Sequence, residues 1–123
     1  MKQFLILFRE PDGRTDTHQP AAIQQHQLDW KLWIEQAIAE KKWVGGSPLT
    51  LEGYTIKGKG RMISKDAYTI GTEIVGGYML INAASLEEAT TLTQTCPIFD
   101  FDGFAEIREI MGTPARATSE KTV

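Results

Sequence analysis

The segment that most constrains the fold is residues 76–111, in which one short amphipathic stretch separates two apolar runs. It reads GGYMLINAASLEEATTLTQTCPIFDFDGFAEIREIM. Ser85 and Glu88 match a capping box, in which the serine accepts a backbone N–H bond and the glutamate reaches back to the cap residue. Apolar residues then follow at helical spacing until Pro97 ends the turn. Because so short a helix between two apolar strands must lie against a sheet, the segment predicts a strand, a capped helix and a second strand.

Length and composition bound the class of protein. The 123 residues form one domain, predicted at 1–111, which can bury a core without a metal or disulfide. Residues 112–123 have almost no apolar content and predict a flexible C-terminal tail. A net charge of −3 argues against broad attraction to nucleic acid or to an anionic membrane surface. The single cysteine favours a reducing, cytoplasmic setting, and the apolar run at residues 4–8 is too short for a signal peptide or a membrane span.

The first strand, predicted at residues 2–9, is apolar on both of its faces. One face carries Phe4, Ile6 and Phe8, and the other carries Leu5 and Leu7. A strand of this kind needs cover on both sides. The chain has only two good helices, enough to cover one face of a small sheet. We therefore expect a second copy of the chain to cover the other face, giving a homodimer that associates through its sheets.

The remaining pattern completes a βαββαβ order. The predicted elements are a loop at 10–19, a helix at 20–42, a turn at 44–51, strands at 54–57 and 61–64, a loop at 65–72, and strands at 74–82 and 104–111. The inward stripe of the long helix comprises Ile23, His26, Trp30, Ile34, Ala37 and Ile38, with Trp33 at its border. This order predicts an α+β, ferredoxin-like fold with an antiparallel sheet.

Two sequence runs resemble those of a known protein family. One is GGYMLINAASLEEA with the CPIF and GFAEIREI that follow it, and the other is WKLWIEQAIAEKKWVGGSPL. Together they cover most of residues 1–111, and by them the chain resembles the YCII-related family, in particular its DGPF-type branch. The resemblance implies a ferredoxin-like monomer that pairs into a dimeric α/β barrel. It also implies the His–Asp pair associated with enzymatic members such as a chloromuconolactone-type dehalogenase.

The chain departs from that branch in one loop. Where the branch has Asp-Gly-Pro-Phe, this chain has Asp66, Ala67, Tyr68 and Thr69. The acid and a nearby ring are kept, but the Gly-Pro that forms the turn is lost. A site built on this loop would therefore have a different backbone geometry.

Two residues are candidates for catalysis. His26 lies on the inward stripe of the long helix, where an imidazole at the edge of an apolar face can act as a general base near neutral pH. Asp66, on the loop over the sheet, could orient His26 or serve as a second acid. The alternatives are a histidine that only packs and an aspartate in a surface turn.

Four residues are candidates for binding a small molecule. Tyr68 could donate a hydrogen bond to a developing oxyanion, and Arg108 on the last strand could bind a carboxylate with two hydrogen bonds. The alternative for Arg108 is a structural pair with Glu106. Trp30 and Tyr78 complete the set, as aromatic residues of the long helix and of a central strand.

No motif indicates a cofactor or a metal. The chain lacks G-x-S-x-G, C-x-x-C and G-x-G-x-x-G, and His18 has no second ligand at metal spacing. Cys96 at a helix C-terminus is expected to pack in the core. The string KGKGR at 57–61 predicts a basic hairpin tip.

Three hypotheses for function follow. The first is a cofactor-free lyase, isomerase or dehalogenase-like enzyme acting on a small acidic organic molecule, with His26 as base, Asp66 beside it and Arg108 as anion clamp. The second is a non-enzymatic module of the same fold that binds a small molecule or a protein. The third is a structural dimer whose cavity is filled by its own side chains.

Overall fold

The computed structural model describes residues 1–112, so the predicted tail lies outside the described residues except for its first residue. The strands are β1 (Lys2–Glu10), β2 (Trp43–Pro48), β3 (Thr55–Lys57), β4 (Met62–Ser64), β5 (Ile74–Ala83) and β6 (Phe104–Glu109). The helices are α1 (Pro20–Ala39) and α2 (Leu86–Thr93), and a 3-10 helix spans Pro97–Phe101.

Four strands form one antiparallel sheet in the order β2-β5-β1-β6. Each helix follows a strand and returns the chain to the sheet, which is the split βαβ arrangement. The α+β, ferredoxin-like prediction is therefore confirmed. None of the helices among residues 1–112 combines the length and apolarity that crossing a membrane requires.

Alternation along the strands divides the sheet into a covered face and an open face. On the covered face the side chains packed beneath the helices are fully buried, and these are Phe4, Ile6, Met79, Ile81 and Ala83. Ala89 of α2 and Cys96 complete the buried cluster. Burial of large aliphatic and aromatic side chains stabilises a fold by about 1.5–3 kcal/mol each, so the apolar core lies on this face.

Helix α1 ends three residues earlier than predicted. Pro20 occupies its first turn, where the missing N–H costs nothing. At the other end Lys41 adopts a φ of 61°, and the Lys42 N–H donates to the Ala37 oxygen over 2.9 Å. This left-handed residue closes the helix. Ala37 is buried as expected, but Ile38, assigned to the inward stripe, is 54% exposed.

Residues 43–48 form an edge strand, so the predicted turn at 44–51 is wrong over most of its length. The error came from Gly45 and Gly46, which read as turn residues. In the sheet a Cβ on Gly46 would lie 2.7 Å from the Tyr78 oxygen and 2.8 Å from the Trp43 ring. Glycine is therefore needed here for close packing inside a strand.

The serine half of the capping box predicted for α2 is present, and the glutamate half is displaced by one residue. Ser85 Oγ accepts a hydrogen bond from the Glu88 N–H at 3.1 Å. Glu88 Oε1 accepts from the Ala84 N–H at 2.9 Å, one residue before the cap, and from Lys42 Nζ at 2.8 Å. The bond from Lys42 is the main cause of a lowered pKa at Glu88.

Strands β3 and β4 pair only with each other and form a hairpin outside the main sheet. The basic turn at 58–61 connects them, as the sequence predicted. The apolar side chains of the hairpin and of the residue before it are strongly exposed, and these are Tyr54, Ile56, Met62 and Ile63. The βαββαβ order is therefore completed by β2, while this hairpin is an insertion between β2 and β5.

The open face mixes leucines with ion pairs. Leu5 and Leu7 alternate with the buried residues of β1 and are only partly buried. Arg9 donates to Glu106 at 3.0 Å and to Glu73 at 3.3 Å. Arg108 donates to the second oxygen of Glu106 at 3.3 Å. The two donors, Arg9 first, lower the pKa of Glu106.

Candidate functional site

A cavity of about 700 Å³ lies between α1, the loop after β1, the β2–β5 edge of the sheet and the 3-10 helix. Its apolar lining consists mainly of Phe8, Ile23, Trp30, Ile34, Trp43, Ile98 and Phe101. Its polar lining includes Glu10, Asp12, Arg14, Asp16, His18, His26 and Ser47. An apolar cavity of this volume with a few polar groups on one side is typical of a small-molecule site.

His26 lies in this lining and is bonded to a carboxylate. Its Nδ1 lies 3.0 Å from Asp100 Oδ2, and its side chain is 22% exposed. Because an ionised carboxylate can only accept, Nδ1 carries the hydrogen in this pair. In the neutral ring the lone pair is then on Nε2, which is the nitrogen left for a ligand.

The short segment after α2 places Asp100. Pro97 opens the 3-10 helix, and Asp102 closes it with a left-handed φ of 63°. A Cβ on Gly103 would lie 2.6 Å from the Ile98 oxygen, so glycine lets the chain turn tightly into β6. This compact turn holds Asp100 against His26 of α1, outside the lining of the cavity.

Aromatic rings surround the imidazole. The Phe101 ring lies 4.6 Å from the His26 ring and stacks on His18 at 4.0 Å with planes 12° apart. Trp30 approaches His26 edge-on at 6.4 Å and packs edge-on against Phe8 at 5.3 Å. These contacts restrict the orientation of His26 and give the cavity flat aromatic walls.

Arg14 also lines the cavity, and hydrogen bonds hold its side chain in place. Arg14 Nε contacts both carboxylate oxygens of Glu10, at 3.0 and 3.1 Å. Its Nη1 and Nη2 donate to the backbone oxygens of Leu49 and Gly76, each at 2.7 Å. The three nitrogens of Arg14 therefore each have a protein partner, and this arginine ties the loop after β1 to β2 and β5.

The side-chain carboxylate of Asp12 holds the same loop together by accepting hydrogen bonds from its backbone N–H groups. Its two carboxylate oxygens accept the N–H groups of Arg14, at 3.0 Å, and Asp16, at 3.2 Å. The bond from Arg14 is the largest cause of the lowered pKa of Asp12. The carboxylate therefore remains charged near neutral pH.

The structure separates the residues that the sequence analysis grouped together. His26, Trp30 and Tyr78 line the cavity, whereas Asp66, Tyr68 and Arg108 are absent from its lining. The carboxylate bonded to His26 is Asp100, where the sequence analysis assigned Asp66.

Asp66, Tyr68 and Arg108 have other surroundings. The Asp66 backbone oxygen accepts from the Thr55 hydroxyl at 2.7 Å, and Tyr68 lies under Lys57 Nζ, 4.9 Å from the ring centre. Both contacts belong to the hairpin region. Arg108 has a 70% exposed side chain that pairs with Glu106, so its contacts match the structural alternative.

Sequence reasoning missed Asp100, Phe101, Arg14 and Glu10. Asp100 is 74 positions from His26, and no local spacing connects a helix residue with a turn so far along the chain. His18 was considered only as a metal ligand and dismissed. The one available signal was Pro97, which marks the turn that brings Asp100 and Phe101 to α1.

Cys96 packs in the core as expected. It is 3% exposed, and burial raises the pKa of its thiol to about 11. Within residues 1–112, no group of three or more His, Cys, Asp or Glu side chains is arranged to hold a metal ion.

The fold is similar to a solved structure of muconolactone isomerase. The match has a TM-score of 0.57 at 15% sequence identity, and it covers 98% of this chain and 99% of that chain. No protein-family model matches the chain, and a sequence comparison with curated proteins finds no match. At this identity the similarity establishes the fold alone, and the YCII-related resemblance stays a prediction.

Proposed function

We propose that the cavity is the active site of a small cofactor-free enzyme of isomerase type, in which His26 transfers a proton on a small organic molecule. The main support is the 3.0 Å bond between His26 Nδ1 and Asp100 Oδ2 at the wall of a cavity large enough for such a molecule. The fold of this chain is also similar to that of a protein named muconolactone isomerase.

His26 and Asp100 supply the base and the group that orients it. Nε2 of His26 removes a proton from a carbon next to a carbonyl group, and the ring becomes positively charged. Asp100 then stabilises that charge through its bond to Nδ1 and keeps the ring oriented. Where a C=C bond adjoins that carbon, the electron pair of the broken C–H bond spreads over the carbonyl oxygen and the C=C bond. Return of the proton at the far carbon of the C=C bond then moves the double bond and leaves the composition of the substrate unchanged.

Proton exchange measures this chemistry without knowledge of the substrate. The full chain is incubated in D₂O with a panel of small cyclic ketones and lactones, and loss of the exchangeable C–H signal is followed by NMR. His26→Ala should slow enzyme-dependent exchange by about 10²–10⁴-fold, which is the usual contribution of a general base. Asp100→Asn should also slow it, because it loses the charge that stabilises the protonated ring and its amide can donate to Nδ1, which places the hydrogen on Nε2.

Gln25→Ala provides the matched control, because Gln25 precedes His26 on α1 and bonds Asp29 on the exposed side. It should leave exchange unchanged. Exchange that persists at the wild-type rate in folded His26→Ala would refute the proposal.

A non-enzymatic binding module of the same fold is the second candidate. Trp30 and Trp43 in the lining favour it, since aromatic walls bind flat ligands without any chemistry. Saturable quenching of tryptophan fluorescence by a compound that undergoes no exchange would support this alternative.

We also propose that two copies associate through the open face of the sheet and that the chain belongs to the DGPF-type branch of the YCII-related family. The partly buried leucines of β1 support the dimer, because an open antiparallel face is ordinarily polar. Sedimentation at micromolar concentration tests it. Leu7→Glu should give monomers, and a wild-type chain that sediments as a monomer would contradict the dimer.

A further inference from the structure

The charges around the cavity are unfavourable for an anionic ligand. Three carboxylates and one guanidinium occur in the lining, those of Glu10, Asp12, Asp16 and Arg14. With neutral histidines the lining therefore has an excess of negative charge. An anion brought into a partly buried site of this kind meets repulsion that solvent screens only in part.

The one guanidinium in this lining is already engaged. Glu10 accepts from Arg14 Nε with both of its oxygens, and backbone oxygens accept from Nη1 and Nη2. Each terminal nitrogen of Arg14 has a second N–H, but Glu10 already neutralises the guanidinium, so a carboxylate ligand meets no net positive charge there. Arg108, the predicted anion clamp, is absent from the lining.

The remaining walls favour flat and positively charged groups. Phe8, Trp30, Trp43 and Phe101 line the cavity, with one face of Phe101 stacked on His18. The faces of aromatic rings carry partial negative charge. Such faces attract cations. They also stack on flat rings, and the neighbouring charged groups then decide which ligand charge is favourable.

We propose that the cavity selects flat ring compounds without a negative charge, and that it prefers a cationic amine substituent to a neutral one. This inference rests on the proposed function only in placing the ligand beside His26. It replaces the small acidic molecule expected from the sequence with a neutral or basic one.

Three naphthalene derivatives of nearly equal size test the order of preference. These are 1-naphthylmethylamine, 1-naphthylmethanol and 1-naphthoic acid, each titrated into the full chain by calorimetry at neutral pH and low salt. The amine should bind tightest and the acid weakest, with a ratio of dissociation constants of about tenfold or more. The ratio should shrink at high salt, because ions screen charges at the mouth of the cavity.

Two variants identify the charges responsible. Glu10→Gln removes the charge that neutralises Arg14 and should improve binding of the acid relative to the amine by about tenfold. Asp16→Asn should reduce the preference for the amine by a few-fold. Glu35→Gln removes the same charge from an exposed position of α1 outside the lining and should leave the ratio unchanged.

Tightest binding by the acid would overturn the inference, as would three compounds that fail to bind or a ratio unaffected by both variants. The proposed enzyme function fails separately. If His26→Ala leaves proton exchange intact while the amine still binds tightest, only the catalytic proposal is lost. If exchange depends on His26 but the acid binds tightest, only the charge preference is lost.

Discussion

The two faces of the sheet are built from the same strands but differ in how completely a single chain buries their apolar side chains. On the covered face Phe4, Ile6, Met79 and Ile81 are fully buried beneath the helices. On the open face, leucines that are only partly buried alternate with residues of the Arg9–Glu106–Arg108 ion pairs. The covered face is complete within one chain and sets the fold, whereas the open face leaves apolar side chains available for association.

Substitutions at neighbouring positions of β5 should show the largest difference in stability between the two faces. Ile81→Ala should lower the free energy of unfolding by about 3 kcal/mol, because it leaves a cavity in a fully buried site. Leu80→Ala on the opposite face should cost about 1 kcal/mol or less in the monomer. Urea unfolding measures both, and equal losses would show that the two faces are equally buried in solution.

A smaller loss of stability is expected from a substitution at the N-terminus of α2, one of the helices that cover the buried face. Ser85→Ala removes the oxygen that accepts from the Glu88 N–H, and it should lower the free energy of unfolding by about 1 kcal/mol. Ser64→Ala makes the same chemical change on the exposed hairpin and should cost much less. A Ser85 variant as stable as the Ser64 variant would argue against the cap.

The smallest effect concerns the charges of the open face and depends on pH. Hydrogen bonds from Arg9 and then Arg108 lower the pKa of Glu106 in the folded state from its ordinary value of 4.5. The stability this carboxylate adds is therefore present above pH 4.5 and is lost as the pH falls through the folded pKa.

Glu106→Gln should accordingly be less stable than the wild type at neutral pH and equal to it in acid, as measured by urea unfolding across the pH range. Arg9→Met should show a similar pH dependence, because it removes the first of the two donors. High salt should reduce the difference, since these side chains are partly exposed. If the difference in the free energy of unfolding between variant and wild type persisted unchanged in acid, its cause would be packing and not charge.

The fold could be predicted from the sequence because its strongest signals are local. The cap at Ser85 and the alternation along β1 each lie within a few residues, and the structure bears both out. Strand β2 was missed because Gly46 has no side chain to mark a strand. What makes glycine necessary there is the approach of Trp43 and Tyr78, which becomes visible only after folding.

The candidate site could be predicted only in part, because its partners are distant in sequence. His26 was identified from its place on an apolar stripe, which is a helical pattern. Asp100 gives no such pattern, and the family resemblance directed attention to Asp66 instead. The position of Asp100 against α1 depends on the turn at Pro97–Phe101, so a three-dimensional structure was needed to identify it.

The His26–Asp100 bond also sets when this chain acquires its candidate chemistry. The two residues are 74 positions apart, and β6 follows the second of them almost immediately. While the chain is being made, β2, β5 and α2 all follow His26 before its carboxylate partner exists. The pair therefore forms only after these elements of the sheet and its helical cover have been made.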